Sequence, residues 1–67
     1  MAAKMTAKEI KELYDLEGHR SYQDAADAWL HSLRTVYNWL RKGCSRKGES
    51  KRLRARLEAA RNERRSA

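Results

Sequence analysis

No proline and only three glycines interrupt this 67-residue chain. Its backbone is therefore punctuated at Gly18, Gly43 and Gly48 and almost nowhere else, each beside or between stretches of helical periodicity, where glycine closes a helix cheaply. No alternating run of β-branched or aromatic residues stands between turns, so no strand is expected. The chain reads as all-α: three short helices, then a basic C-terminal one. One cysteine excludes an internal disulfide, and with two histidines it excludes a four-ligand zinc centre of Cys₄ or Cys₂His₂ type. A chain this short without either staple has a core worth only about 3–5 kcal/mol, and help from a partner or second copy is expected.

The first helix opens on a Thr6-x-x-Glu9 capping box, with Met5 and Ile10 at staple spacing. Ile10, Leu13, Tyr14 and Leu16 then form one apolar face, and Gly18 ends it. Ser21 caps the second helix, whose inward residues are Ala25, Ala26 and Trp29, with Tyr22 also assigned to the core. Residues 30–32 make a short break and Ser32 caps the third helix. That helix sets Leu33, Val36, Trp39 and Leu40 on one side and mostly Arg34, Thr35, Asn38 and Arg41 on the other. The expected organisation is a domain over 1–43, a polar linker over 44–50 and a basic helix over 51–67. In that last helix Leu53, Leu57 and Ala60 are the only apolar stripe. It is too thin for an autonomous coiled coil, so these three are expected to dock on the domain or to form a homodimer interface, the second being preferred.

Charge is distributed unevenly. Residues 1–40 carry five basic groups against six acidic ones, whereas residues 41–67 carry eleven against three. A near-neutral half followed by a strongly basic half is the footprint of a polyanion binder. The arginines at 52, 54, 56, 61, 64 and 65 run nearly round the last helix and are read as wet and available to phosphate.

Residues 21–42, SYQDAADAWLHSLRTVYNWLRK, resemble the helix-turn-helix of phage repressors, small bacterial regulators and transposase N-terminal domains. The phage regulators encoded beside anti-CRISPR genes are one group within that resemblance. Ala26 matches the small residue at the helix crossing, Trp29 the large one before the turn, Ser32 the cap of the recognition helix, and Val36 with Trp39 its anchors. The chain departs from the pattern at Leu30 and His31, where the family's turn usually carries glycine and then a β-branched apolar residue. The resemblance implies a sequence-specific double-stranded DNA-binding regulator of repressor type, acting as a homodimer on an inverted-repeat operator. A major groove about 12 Å wide admits one helix with a polar outer face. Ser32, Leu33, Arg34, Thr35 and Asn38 are assigned to bases, and Tyr37, Arg41, Lys42, Arg46 and Lys47 to phosphates.

Other signals are weaker. Cys44 lies among basic residues but lacks a base, and is read as a free thiol in the linker. His19 and His31 are given surface or turn roles, with a phosphate contact open to His31. No carboxylate pair, Ser/His/Asp set or Gly-rich phosphate loop is readable, so no enzyme activity, cofactor, metal or small-molecule ligand is expected. The lack of a run of about 18–20 apolar residues or a leader pattern implies no membrane partner and a cytoplasmic, nucleoid-associated protein. The rival readings are an excisionase-like or transposase-derived recombination factor and, from another class, an RNA-binding or protein-docking basic module.

Overall fold

The computed structural model describes residues 4–66, with side chains described as far as residue 64. Met1–Ala3, Ala67 and the Arg65 side chain assigned above to phosphate lie outside the described residues. Four helices follow one another: α1 (Ala7–Leu16), α2 (Tyr22–Trp29), α3 (Leu33–Lys42) and α4 (Lys47–Ser66). Each of the first three starts on a hydroxyl that accepts a free backbone amide. Thr6 Oγ1 accepts from the Glu9 amide at 3.2 Å while Glu9 reaches back to the Thr6 amide at 3.0 Å. Ser21 caps Asp24 at 3.1 Å and Ser32 caps Thr35 at 3.2 Å.

The apolar stripes converge as helical spacing demands. α1 lies against both α3 and α4, and α2 packs on α3. Ile10 and Leu13 from α1, Ala25, Ala26 and Trp29 from α2, Val36 and Trp39 from α3, and Leu53 and Leu57 from α4 share one buried cluster. Ala25 and Ala26 let α2 approach closely, and Trp29 fills the space beyond them.

Three expectations are corrected here. Tyr22 is 42% exposed and Leu33 46% exposed, so neither belongs to the core. They sit at the first positions of α2 and α3, where the chain enters each helix from outside. Leu53 and Leu57 are buried within the chain itself, with Ala60 packed beside them. α1 offers an apolar face that α2 and α3 leave partly open, and α4 closes it, so this stripe is an intrachain contact rather than a homodimer interface. The segment 44–50 is not a linker: α4 already starts at Lys47, and Cys44 and Ser50 are buried. Met5 and Cys44 exchange backbone hydrogen bonds at 3.0 and 2.9 Å, and the Ser50 hydroxyl donates to the Cys44 carbonyl at 2.9 Å. The thiol is thus a packed side chain, and α4 is tied to the three-helix unit by the backbone.

Two positive-φ residues define the connections around α3. Gly43 has φ +88°, and a Cβ there would stand 2.4 Å from the Met5 carbonyl oxygen. Only glycine allows this approach, which makes the Met5–Cys44 pairing possible. At the α2–α3 turn the left-handed residue is Leu30, with φ 61° and ψ 44°. Its conformation lets the His31 amide reach the Ala26 carbonyl at 2.9 Å and closes the end of α2. Leu30 is 81% exposed and gains no burial in exchange for the strain.

Opposite effects follow at these two sites. Leu30→Gly is expected to raise stability by about 0.5–1 kcal/mol, a Tm gain of a few degrees in a domain this small. Gly43→Ala is expected to cost at least about 2 kcal/mol. Thermal unfolding followed by circular dichroism measures both, and a Gly43→Ala variant as stable as the parent would contradict the close approach.

Candidate nucleic-acid interface

The outer side of α3 carries Leu33, Arg34, Tyr37, Asn38, Arg41 and Lys42, all exposed, while Thr35 is half-buried. Helical geometry divides these into two stripes. Leu33 and Tyr37 stand four apart, and Arg34, Asn38 and Arg41 line the neighbouring row. The hydroxyls of Ser32 and Thr35 lie 2.9 Å apart at the start of the helix and cap it. The Arg41 guanidinium lies 5.5 Å from the centre of the Tyr37 ring, a cation–π contact that aligns both along the helix.

Two open grooves flank this face and meet at Asn38. One, of about 570 Å³, runs between the start of α2 and α3 and is lined by Tyr22, Leu33, Arg34, Tyr37, Asn38 and Arg41. The other, of about 320 Å³, lies where α3 passes into the Met5–Cys44 pairing. Its walls include Lys4, Asn38, Lys42 and Arg46. Of the residues assigned from sequence to bases or phosphates, the α3 set and Arg46 are therefore brought together on one surface. Lys47, at the start of α4, is exposed just beyond it. Lys4 and Tyr22 were missed. Lys4 reaches this surface only through the Met5–Cys44 pairing, which has no signature in the sequence. Tyr22 could have been found from its place at the first position of α2, which leaves a side chain outside the core.

The arginines of α4 behave differently from expectation. Arg54 donates to Glu9 at 2.8 Å, and Arg61 grips Glu12 with two bonds of 2.7 and 2.8 Å. Arg56 donates to Glu17 at 2.9 Å. Arg52 donates to Glu49 at 2.9 Å and to the Trp29 carbonyl at 2.7 Å. These four guanidiniums are committed to the protein. Among the described residues, Arg34, Lys42, Arg46 and Lys47 have no acidic partner. Lys8, Lys11, Arg20, Lys51 and Arg64 are likewise without an ion pair, but residues 33–47 alone combine five basic groups with no acidic residue.

The α2–α3 turn is also held from α4. His31 Nε2 bonds Glu49, and the His31 ring packs at 4.6 Å against Trp39. Its ring is turned inward, so it is not the phosphate contact left open from sequence. Hydrogen bonds from Arg52 and then His31 hold the Glu49 carboxyl below its ordinary value.

Glu17, at the end of α1, is the polar centre of the fold. Its Oε1 accepts from Trp29 Nε1 and bonds His19 Nε2, both at 2.8 Å, and its Oε2 accepts from Arg56. Burial pushes the Glu17 carboxyl up, but the bonds from Arg56, Trp29 and His19 together outweigh it and leave the group below its ordinary value. Sequence reasoning missed this residue, since its partners lie 12 and 39 positions away.

Comparisons with protein-family models, curated proteins and solved structures find no match for this chain. Among the described residues, no helix is long and apolar enough to cross a membrane.

The carboxylates dictate the acid limb of stability. Glu9, Glu12, Glu17 and Glu49 are all held below the ordinary glutamate value of 4.5. Each binds protons less readily folded than unfolded, so its contribution is complete above that value and is lost as pH falls through the folded one. The melting temperature is expected to fall on acidification from pH 5 towards 3. Glu17→Gln is expected to cost about 1.5–3 kcal/mol near neutrality and to flatten that acid decline. Thermal melts across this range test both, and a variant that melts like the parent would remove Glu17 from its central place.

Proposed function

We propose that this chain is a sequence-specific double-stranded DNA-binding module of helix-turn-helix type. In this reading it is a small transcriptional regulator of the phage or mobile-element kind, with α3 as its recognition helix. One observation carries the reading. Residues 33–47 hold five basic groups, Arg34, Arg41, Lys42, Arg46 and Lys47, and no acidic residue, around an exposed row of Arg34, Asn38 and Arg41. A major groove offers guanine O6 and N7 to a guanidinium and adenine N6 and N7 to an amide, and one helix face can present both. Arg34 and Asn38 take these base-reading roles, while Arg41, Lys42, Arg46, Lys47 and Lys4 neutralise phosphates along the rim. The capped start of α3, fixed through Ser32 and braced by His31 and Arg52, sets the angle at which those side chains enter the groove.

The alternative of a basic docking helix loses its main groups, because Arg52, Arg54, Arg56 and Arg61 are spent on carboxylates within the chain. Leu53 and Leu57, buried within the chain, are unavailable as the contact with a second copy.

Selection of bound duplexes from a random pool, followed by mobility shifts, tests the proposal. A defined site is expected to emerge and to be bound in preference to random duplex and single-stranded RNA. Arg34→Ala and Asn38→Ala are each expected to cost about 1–3 kcal/mol on that site and to change random-duplex affinity little. Equal losses on both duplexes would reduce α3 to a phosphate-binding surface.

A further inference from the structure

The exposed face of α3 holds more than its polar row requires. Leu33 and Tyr37 are each 46% exposed and Tyr22 is 42% exposed, and together they line the larger groove beside Arg34 and Arg41. The core does not need these side chains, and they remain in water in the free protein, which a small soluble domain otherwise avoids in such concentration. Their arrangement restricts what can cover them. The Tyr22 and Tyr37 rings are 6.1 Å apart and tilted by 49°, so they touch each other and leave no parallel slot for a stacked base. The groove is open, and beside the touching rings it can receive a small apolar projection. Its rim is cationic and lacks acidic partners, which matches a polyanion and not a neutral surface.

Resting on the DNA-binding reading, we propose that this groove reads the C5-methyl groups of thymine, with Leu33 and the Tyr37 ring as the discriminating contacts and Tyr22 as the wall. The major groove displays thymine methyls in the same plane of approach as the purine N7 and O6 acceptors. An apolar stripe beside a stripe of guanidinium and amide groups is the complementary pattern. Leu33 and Tyr37 are separated by about 6 Å along the helix, close to two base steps of about 3.4 Å. The recognised sequence therefore carries thymines within two or three consecutive base pairs, flanked by the purines that Arg34 and Asn38 read.

The test uses the full chain and the duplex chosen from a random pool, with each thymine replaced in turn by uracil. Uracil lacks only the methyl group and leaves every hydrogen bond in place, and the change is in the DNA, so folding of the protein is not at issue. Two positions are expected to weaken binding about four-fold each, the value of one buried methyl. Leu33→Ala, an exposed substitution, is expected to retain parental helicity and to abolish the difference between thymine and uracil at one of them. A selected site without thymine, or indifference to uracil while Arg34→Ala still loses discrimination, would overturn the methyl reading and leave DNA recognition standing. Unchanged uracil sensitivity in Leu33→Ala would likewise overturn it and leave the groove to a protein partner. Failure to select any duplex would overturn both.

Discussion

The carboxylate of Glu17 is the interaction on which the rest depends. It receives the indole N–H of Trp29 from α2, the imidazole of His19 and the guanidinium of Arg56 from α4. A buried tryptophan must place its N–H somewhere, and a partly buried carboxylate must find more than one donor. Glu17 satisfies both needs at the point where three helices meet. Leu53 and Leu57 supply the apolar side of the same junction, and Arg54 on Glu9 and Arg61 on Glu12 continue the polar side along α1. Pairs as exposed as these outer two are individually weak. Their contribution is register, since they fix which turn of α4 lies against which turn of α1.

Closure by α4 also shapes the surface that is left. Arg52 holds the last carbonyl of α2 and Glu49 holds His31, so the fourth helix braces the connection that aims α3. Four arginines of α4 face carboxylates, whereas the five basic groups of residues 33–47 have no acidic residue within their own stretch. One helix thus completes the core, orients the exposed face and sorts the charge into structural and available portions.

Much of this was readable in the chain. The Thr6–Glu9 capping box, the caps at Ser21 and Ser32, the stop at Gly43 and the inward set of Ala25, Ala26, Trp29, Val36 and Trp39 all follow from local rules acting within a turn or two. The failures share a cause: they depend on residues far apart. Residues 44–50 are polar and glycine-containing, and read as a linker. Only the pairing of Met5 with Cys44 shows that this stretch is packed. Leu53 and Leu57 had to be buried, but no local pattern says whether the cover is α1 or a second copy. The charge asymmetry pointed outward to a polyanion, yet Glu9, Glu12 and Glu17 on α1 were a complementary row for the arginines of α4. Tyr22 reads as core by its aromatic character although it stands at a helix start, and Leu33 shares a helix side with Val36 and Trp39 without sharing their burial. Of the candidate surface, the shared exposure of the α3 residues was legible because a helix face is a local property, whereas Lys4 and the groove beside Tyr22 needed the tertiary fold.

The central claim is that Arg52, Arg54, Arg56 and Arg61 of α4 serve the fold while, in the proposed function, the arginines of α3 meet DNA. Side-chain Nε–Hε resonances of the arginines, followed by nuclear magnetic resonance as a selected duplex is titrated in, report on it directly. The account predicts large shifts for Arg34 and Arg41 and backbone changes over residues 33–47. Arg54, Arg56 and Arg61 should remain at their free-protein positions, still bonded to Glu9, Glu17 and Glu12. Shifts concentrated on those three arginines, with α3 unmoved, would contradict it and make α4 the binding helix.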